Sequence, residues 1–242
     1  MTKQNFRITI FMLILLFSAM PLSALTLENL SVHAGYALGS QKDSLIQSVR
    51  GPGYEIRLDW RLSKRWSFRM NSGHWYFSID QDNAHRVLEW PYWQQIYGYV
   101  VYLAENNPAF DVKVDPRQDL KIKPVEAGLL WTSNKSSRLQ VSLSLLGGAS
   151  FYRRQLYIEE YWTKHFPSID YSFSYDFQNR SDAKSGWVWN FTPGVSLNWR
   201  ISDYILLSAE SIYRFYLNNR KDGDFFPLEN HLQIEAGVHF IY

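Results

Sequence analysis

The C-terminal stretch His231-Leu-Gln-Ile-Glu-Ala-Gly-Val-His-Phe-Ile-Tyr242 decides the fold. In steps of two back from the end, Tyr242, Phe240, Val238, Ala236, Ile234 and Leu232 are all apolar or aromatic. The other phase, Ile241, His239, Gly237, Glu235, Gln233 and His231, is mostly polar. Successive side chains of a strand point to opposite faces, so the segment has one apolar side and one wet side. It is long enough to cross a bilayer as a tilted strand, which takes roughly 9–11 residues.

The same alternation recurs upstream. Leu30, Val32, Ala34, Tyr36 and Leu38 form one apolar series, and Tyr54, Ile56, Leu58, Trp60 and Leu62 another, with Glu55, Arg57, Asp59 and Arg61 on its opposite face. Trp66, Phe68 and Met70 alternate with Ser67, Arg69 and Asn71. Leu139 to Leu145, Trp187 to Ile201 and Ile205 to Phe215 behave alike. Between Leu120 and Trp131 the phase slips at Pro124. With Leu120 and Ile122 on the apolar face, Lys121 and Lys123 fall on the polar one, and a β-bulge at the proline is expected. Counting the C-terminal stretch, eight segments result. Three of their connections are short, and the other four, at roughly 39–52, 77–119, 154–186 and 218–230, are long. Short turns at one end and long loops at the other describe an all-β, closed antiparallel transmembrane barrel with periplasmic turns and extracellular loops. Trp60, Trp66, Trp131, Trp199, Tyr204 and Tyr242 would ring the turn side, and Tyr36, Tyr54, Tyr76, Phe151, Trp187 and Phe215 the loop side.

Composition agrees. Aromatics reach 17%, enough for two such rings, and the net charge of +2 gives no case for nucleic acid. With no Cys there is no disulfide framework, thiolate metal site or Cys nucleophile. Lys3, Arg7, the apolar run Ile8 to Phe17 and Leu22-Ser23-Ala24 read as a signal peptide over 1–24, leaving 25–242 as the barrel domain. A secreted lipocalin-like barrel shows the same alternation with the apolar face turned inward.

In this architecture the chain resembles the small eight-stranded bacterial outer-membrane proteins of the OmpA-membrane-domain, OmpX and OmpW kind. Its C-terminal strand and its two proline-bearing strands, Lys123-Pro-Val-Glu-Ala-Gly-Leu and Thr192-Pro-Gly-Val-Ser-Leu, carry that resemblance. The resemblance implies a place in the outer membrane of a Gram-negative-type bacterium. It also implies contact with outer-membrane lipid, and handling by periplasmic chaperones and the barrel-assembly machinery, with Phe240 and Tyr242 in the assembly signal. It further implies passage of small hydrophobic molecules, or a structural or surface role.

Eight strands leave a lumen that side chains nearly fill. The expected charge network there is Glu55, Arg57, Asp59, Arg61, Arg69, Glu126, Arg200, Glu210, Arg214 and Glu235, joined by His33 and His239. Each buried charge requires an opposite partner on a neighbouring strand. Glu210, Glu235 and His33 are expected close together at mid-depth. A lipid-modifying enzyme would need a Ser activated by a His and an acid. The nearest grouping is His74, Ser78 and Asp80 at the upper end of the third strand, and it reads more simply as solvated surface. Neither a cofactor nor a metal site is expected, although Asp111, Asp115 and Asp119 form an acidic run that a divalent cation could visit.

The second long loop has Tyr92, Trp93, Ile96, Tyr97, Val100, Val101 and Ala104 at helical spacing after Pro91, so a short helix is expected there, with an extended strand as the alternative. In the third, Tyr171, Phe173, Tyr175 and Phe177 alternate strictly, as an upward continuation of the barrel strands or as part of a ten-stranded barrel. Together the two loops read as a packed extracellular cap, or as an adhesin-like surface for a hydrophobic or macromolecular partner.

Overall fold

The computed structural model describes residues 26–41, 45–81, 84, 88, 90–217 and 225–242. The expected signal peptide lies outside them. The strands are β1 (Thr26–Gln41), β2 (Ile46–Arg61), β3 (Trp66–Gln81), β4 (Phe110–Thr132), β5 (Leu139–Phe166), β6 (Tyr171–Arg180), β7 (Lys184–Arg200), β8 (Ile205–Leu217) and β9 (Leu228–Ile241). Their hydrogen-bonded order is β4-β3-β2-β1-β9-β8-β7-β5-β6, and β4 also pairs with β5, which closes a ring. The C-terminal strand closes it from the other end of the chain, with Leu30 opposite Phe240 and Leu38 opposite Leu232.

The ring has eight strands, because β6 and β7 share one edge of β5. The lower part of β5, from Leu139 to Arg154, pairs with β7, and the upper part, from Tyr157 to Phe166, pairs with β6. Ser181 bridges the two pieces: its N–H donates to the Leu156 carbonyl at 2.9 Å and its Oγ accepts the Leu156 N–H at 3.2 Å. The alternating aromatics of the third loop therefore continue the barrel wall upward. Much of the sequence expected as long loop is strand: β5 runs 28 residues and β4 23.

Facing is that of a membrane barrel. Outward positions such as Val32, Ile56, Leu143, Val195, Leu207 and Phe240 are exposed, and inward Ser31, His33, Glu55, Arg57 and Glu210 are buried. A lipocalin would reverse this. The chain is a small outer-membrane-type β-barrel.

One strand differs from its expected phase. β4 pairs with β3 and β5 in constant register, from Trp66 opposite Trp131 to Ile79 opposite Gln118, with no bulge at Pro124. Leu120 and Ile122 point into the lumen at 0% exposure, and Lys121 and Lys123 point outward. The physical reason is that the upper lumen is apolar. Trp75, Phe77, Ile79, Tyr152, Val188, Tyr216, Phe226 and Leu228 fill it together with Leu120 and Ile122.

The second loop contains the expected helix. A π-helical turn, Trp93–Tyr97, leads into α1, Gly98–Glu105. Val101 of α1 joins Trp90, Trp93, Leu156, Ile158 and Trp162 in a second apolar cluster above the barrel.

Candidate functional site: a plugged lumen beneath an apolar cap

Every second residue of a barrel strand faces the lumen, so Glu55, Arg57 and Asp59 from β2, Arg69 from β3, Glu126 from β4, Glu210 and Arg214 from β8 and Glu235 from β9 converge inside. Two arginines organise them. Arg214 donates from Nε to Glu126 Oε1 at 2.7 Å, and from Nη2 to Glu126 Oε2 at 2.8 Å and Glu55 Oε1 at 2.9 Å. Arg57 donates from Nη2 to Glu55 Oε2 at 2.9 Å and also bonds Glu210 and Glu235. Glu55 thus links the two guanidinium groups. Arg69 grips Asp59 in a fork at 2.7 and 3.0 Å. Fork geometry of this kind gives the strongest charge-assisted pairs.

Polar neighbours complete the network. Asn190 and Thr192 donate to Glu126 at 2.6 and 2.7 Å, and Asn71 bridges Glu55 and Glu126 at 2.7 and 2.9 Å. Glycines make room for it: a Cβ on Gly73 would stand 2.7 Å from Glu55 Cγ, and one on Gly237 would stand 2.5 Å from His33 Nδ1. The mid-depth trio meets through Arg57. Glu210 lies opposite Glu235 in register, and His33 Nδ1 lies 3.1 Å from Arg57 Nη1 and 3.7 Å from Glu235. His239 packs edge-on against His33 at 5.0 Å.

Arg61 and Arg200 stand apart from this core, at the mouth on the short-turn side. Arg61 is 55% exposed and reaches Glu28 at 3.5 Å, and Arg200 donates to the Lys135 carbonyl at 2.5 Å. They line a cavity of about 530 Å³ with Glu28, Ser67 and Lys135. Lys135 Nζ binds Glu28 at 2.6 Å and the Ser67 hydroxyl at 2.8 Å. The sequence marked Arg61 and Arg200 as inward charges but not Lys135, which comes from a turn. Asn71, Asn190 and Thr192 were legible, lying on the inward phase of their strands.

Above the charges, the Trp75 indole N–H donates to Glu55 at 2.9 Å and its ring begins the apolar plug. Higher still, Arg154 donates from Nε to Gln118 at 3.0 Å and from Nη1 to the Phe225 carbonyl at 3.0 Å. In the cap, buried Glu160 accepts from the Tyr97 hydroxyl at 3.0 Å, the Trp162 indole at 2.9 Å and the Asn179 amide at 2.7 Å. Burial, and then Glu160, hold the Tyr97 phenol well above its ordinary pKa. Tyr99, Val100, Tyr102 and Leu103 of α1 are exposed, and so are Tyr171 and Phe173 of β6.

The nearest catalytic-looking grouping does not assemble. His74 faces outward, stacked on Tyr54 at 5.6 Å, with Nδ1 3.4 Å from the Tyr76 hydroxyl, and Ser78 and Asp80 continue the same exposed face. Asp115 pairs with Arg117 at 3.2 Å.

No family model matches the chain, and no curated protein matches it in sequence. Solved structures with a similar fold include Neisserial surface protein A, at 11% identity and TM-score 0.46, covering 88% of this chain and 96% of that one. Ail, the attachment invasion locus protein of Yersinia pestis, is 13% identical, with TM-score 0.45 and coverage of 90% and 100%. OprG from Pseudomonas aeruginosa is 9% identical, with TM-score 0.42 and coverage of 88% and 93%.

Proposed function

We propose that this barrel is a non-enzymatic, non-conducting pedestal that presents an apolar binding surface outside the cell. The observation that carries the reading is the run of exposed apolar residues Tyr99, Val100, Tyr102 and Leu103 on the short helix α1; Tyr171 and Phe173 of β6 are exposed as well. A contiguous exposed apolar patch marks an interaction site. It is not a lipid-facing surface. α1 packs at the level of Ile158 to Trp162, seven or more residues beyond the girdle residue Phe151 along β5. At roughly 3.3 Å per residue and a tilt near 40°, that places the helix about 20 Å above the membrane interface. The continuously paired β4–β5–β6 sheet holds it there, and the filled lumen below leaves little room for transport. Passage of small hydrophobic molecules would require Trp75, Tyr152, Tyr216 and Phe226 to move out of the upper lumen.

The matching partner is a protein or cell surface with an apolar face of its own. Assembly through the exposed Phe240 and Tyr242, recognised by periplasmic chaperones and the barrel-assembly machinery, belongs to the same reading. The test is a cell displaying the protein, compared with one displaying Y99S/Y102S/L103S at equal surface level. The parent is expected to partition into a hydrocarbon phase and to adhere to apolar surfaces more than the variant. Equal partitioning overturns the reading. Step conductance in planar bilayers, or changed lipid A and phospholipid profiles on expression, would overturn its non-conducting and non-enzymatic parts respectively.

A further inference from the structure

The outward-facing lysines of β4 pose a physical problem. A basic residue on the lipid face costs about 2–4 kcal/mol at the bilayer midplane and close to nothing only near the interface. Lys121 lies ten residues above the lower-girdle Trp131 along β4. At roughly 3.3 Å per residue and a tilt near 40°, that is about 25 Å, the height of the apolar band. Lys121 therefore stands at the outer-leaflet headgroup level, opposite Tyr76 in register, and Lys123, opposite Phe151, stands just beneath it.

A third cation joins them. Arg153 of β5 is the register partner of Lys121 and is also exposed. Directly opposed outward residues have Cβ atoms about 5 Å apart, so three like charges crowd one spot. Among the described residues, none forms an ion pair with them. Lys121 Nζ sits 5.8 Å from the centre of the Tyr76 ring, and Arg153 Nη2 donates to Gln155 at 3.3 Å. The nearest acid on the same face, Asp119, lies one outward position higher, and above it Arg117 is already paired with Asp115 and Glu159. By contrast, the outward series of β1 from Leu30 to Leu38, of β8 from Ile205 to Leu217 and of β9 from Leu232 to Phe240 carry no charge at all.

Beneath the cations the wall is unusually shallow. Ala127 and Gly147 are register partners, Ala149 is the next outward residue of β5, and a Cβ at Gly147 would meet only the Asn190 carbonyl, at 3.8 Å. Val125, Leu129 and Trp189 stand around these small residues. This makes an apolar trough running down from a cluster of positive charge.

We propose that Lys121, Lys123 and Arg153 bind the phosphate groups of a phosphorylated glycolipid of the outer leaflet, with one of its acyl chains lying in the trough over Ala127, Gly147 and Ala149. Phosphate supplies the missing counter-charge, and three donor-bearing cations suit a group with several acceptor oxygens. An acyl chain fills space that no side chain occupies. The site is on the barrel's outer wall, so it is independent of the cap surface proposed above.

The test follows the heat-modifiable gel shift of the purified barrel in neutral detergent while diphosphoryl lipid A is titrated in. Enzymatically dephosphorylated lipid A, phosphatidylglycerol and inorganic phosphate serve as separate arms. Diphosphoryl lipid A is expected to raise the unfolding temperature saturably, and the other three are expected to have little effect. Lys121→Gln, Lys123→Gln and Arg153→Gln should each weaken binding roughly fivefold, and together on the order of a hundredfold. Equal response to the dephosphorylated lipid, or to phosphatidylglycerol, overturns the proposal, as does a triple variant that binds like the parent. The comparison of lipids on the parent protein decides the matter even where a variant assembles poorly.

Discussion

The two halves of the lumen solve the same packing problem with opposite chemistry. Below, five carboxylates (Glu55, Asp59, Glu126, Glu210 and Glu235) are held by three guanidinium groups (Arg57, Arg69 and Arg214). Above, Trp75, Phe77, Leu120, Ile122, Tyr152 and Phe226 form an ordinary apolar core. The lower half specifies its neighbours by donor and acceptor geometry, and the upper half by shape. A charge network fails when one partner is removed, because the remaining charge is left buried without its counter-charge. An apolar core fails gradually, in proportion to the cavity created.

The sharpest way to break the comparison is Arg214→Met. It deprives Glu126 of both its fork bonds and Glu55 of one, and a loss of about 3–5 kcal/mol is expected. Urea unfolding in lipid vesicles measures it, and a loss under about 1 kcal/mol would mean that the network is not a structural unit. Next is Leu120→Ala in the upper half, fully buried, with an expected loss of about 2–5 kcal/mol. Bilayer conductance should stay at zero in this variant, because the ionic layer beneath it remains closed. A conducting Leu120→Ala barrel would show that the apolar layer alone is the seal.

This two-layer lumen also explains how far the fold could be read in advance. The C-terminal alternation, the pairing of Leu30 with Phe240, the eight-stranded ring and the inward set on β2, β3, β8 and β9 all follow from a period of two with polar residues inside. That rule holds only for the lower half. At Leu120 and Ile122 the inside is apolar, so polarity there points the wrong way, and a strictly polar-inside rule demands a bulge at Pro124 that the strand does not have. A signal was present in β3: continuing the inward phase of Arg69 and Asn71 gives Gly73, Trp75, Phe77 and Ile79, which turns apolar at the same height. In the same way, the inward phase of Gln140 and Ser142 runs unbroken to Tyr152, Arg154, Ile158 and Trp162, which marks most of the third loop as wall. The placement of Arg61 and Arg200 at the mouth was not legible, since a rim residue and a lumen residue share one phase.

Smaller effects sharpen the contrast. Acids outnumber arginines in the lower layer, so charge removal should be asymmetric. Glu235→Gln keeps an acceptor for Arg57 while relieving repulsion with Glu210, its register partner, and should cost about 1 kcal/mol or less in the same urea assay. A loss as large as that of Arg214→Met would refute the asymmetry.

A comparably small effect is expected in the cap, where the buried acid Glu160 is satisfied by neutral donors. Tyr97→Phe removes one of three hydrogen bonds to Glu160 and leaves Trp162 and Asn179 in place. The expected cost is about 1 kcal/mol, confined to the docking of α1. Protease nicking of the cap in folded barrels should rise, while the heat-modifiable shift of the barrel stays put. The pH dependence has a definite sign. In the docked state the Tyr97 phenol binds its proton more tightly than the ordinary tyrosine value of 10.0. Docking is therefore at full strength below about pH 10 and is lost as pH rises beyond it. The Phe variant has no such proton to lose, so its nicking rate should show no alkaline rise attributable to residue 97. Parallel alkaline curves for the parent and the variant would mean that the bond from Tyr97 to Glu160 does not hold the helix to the sheet.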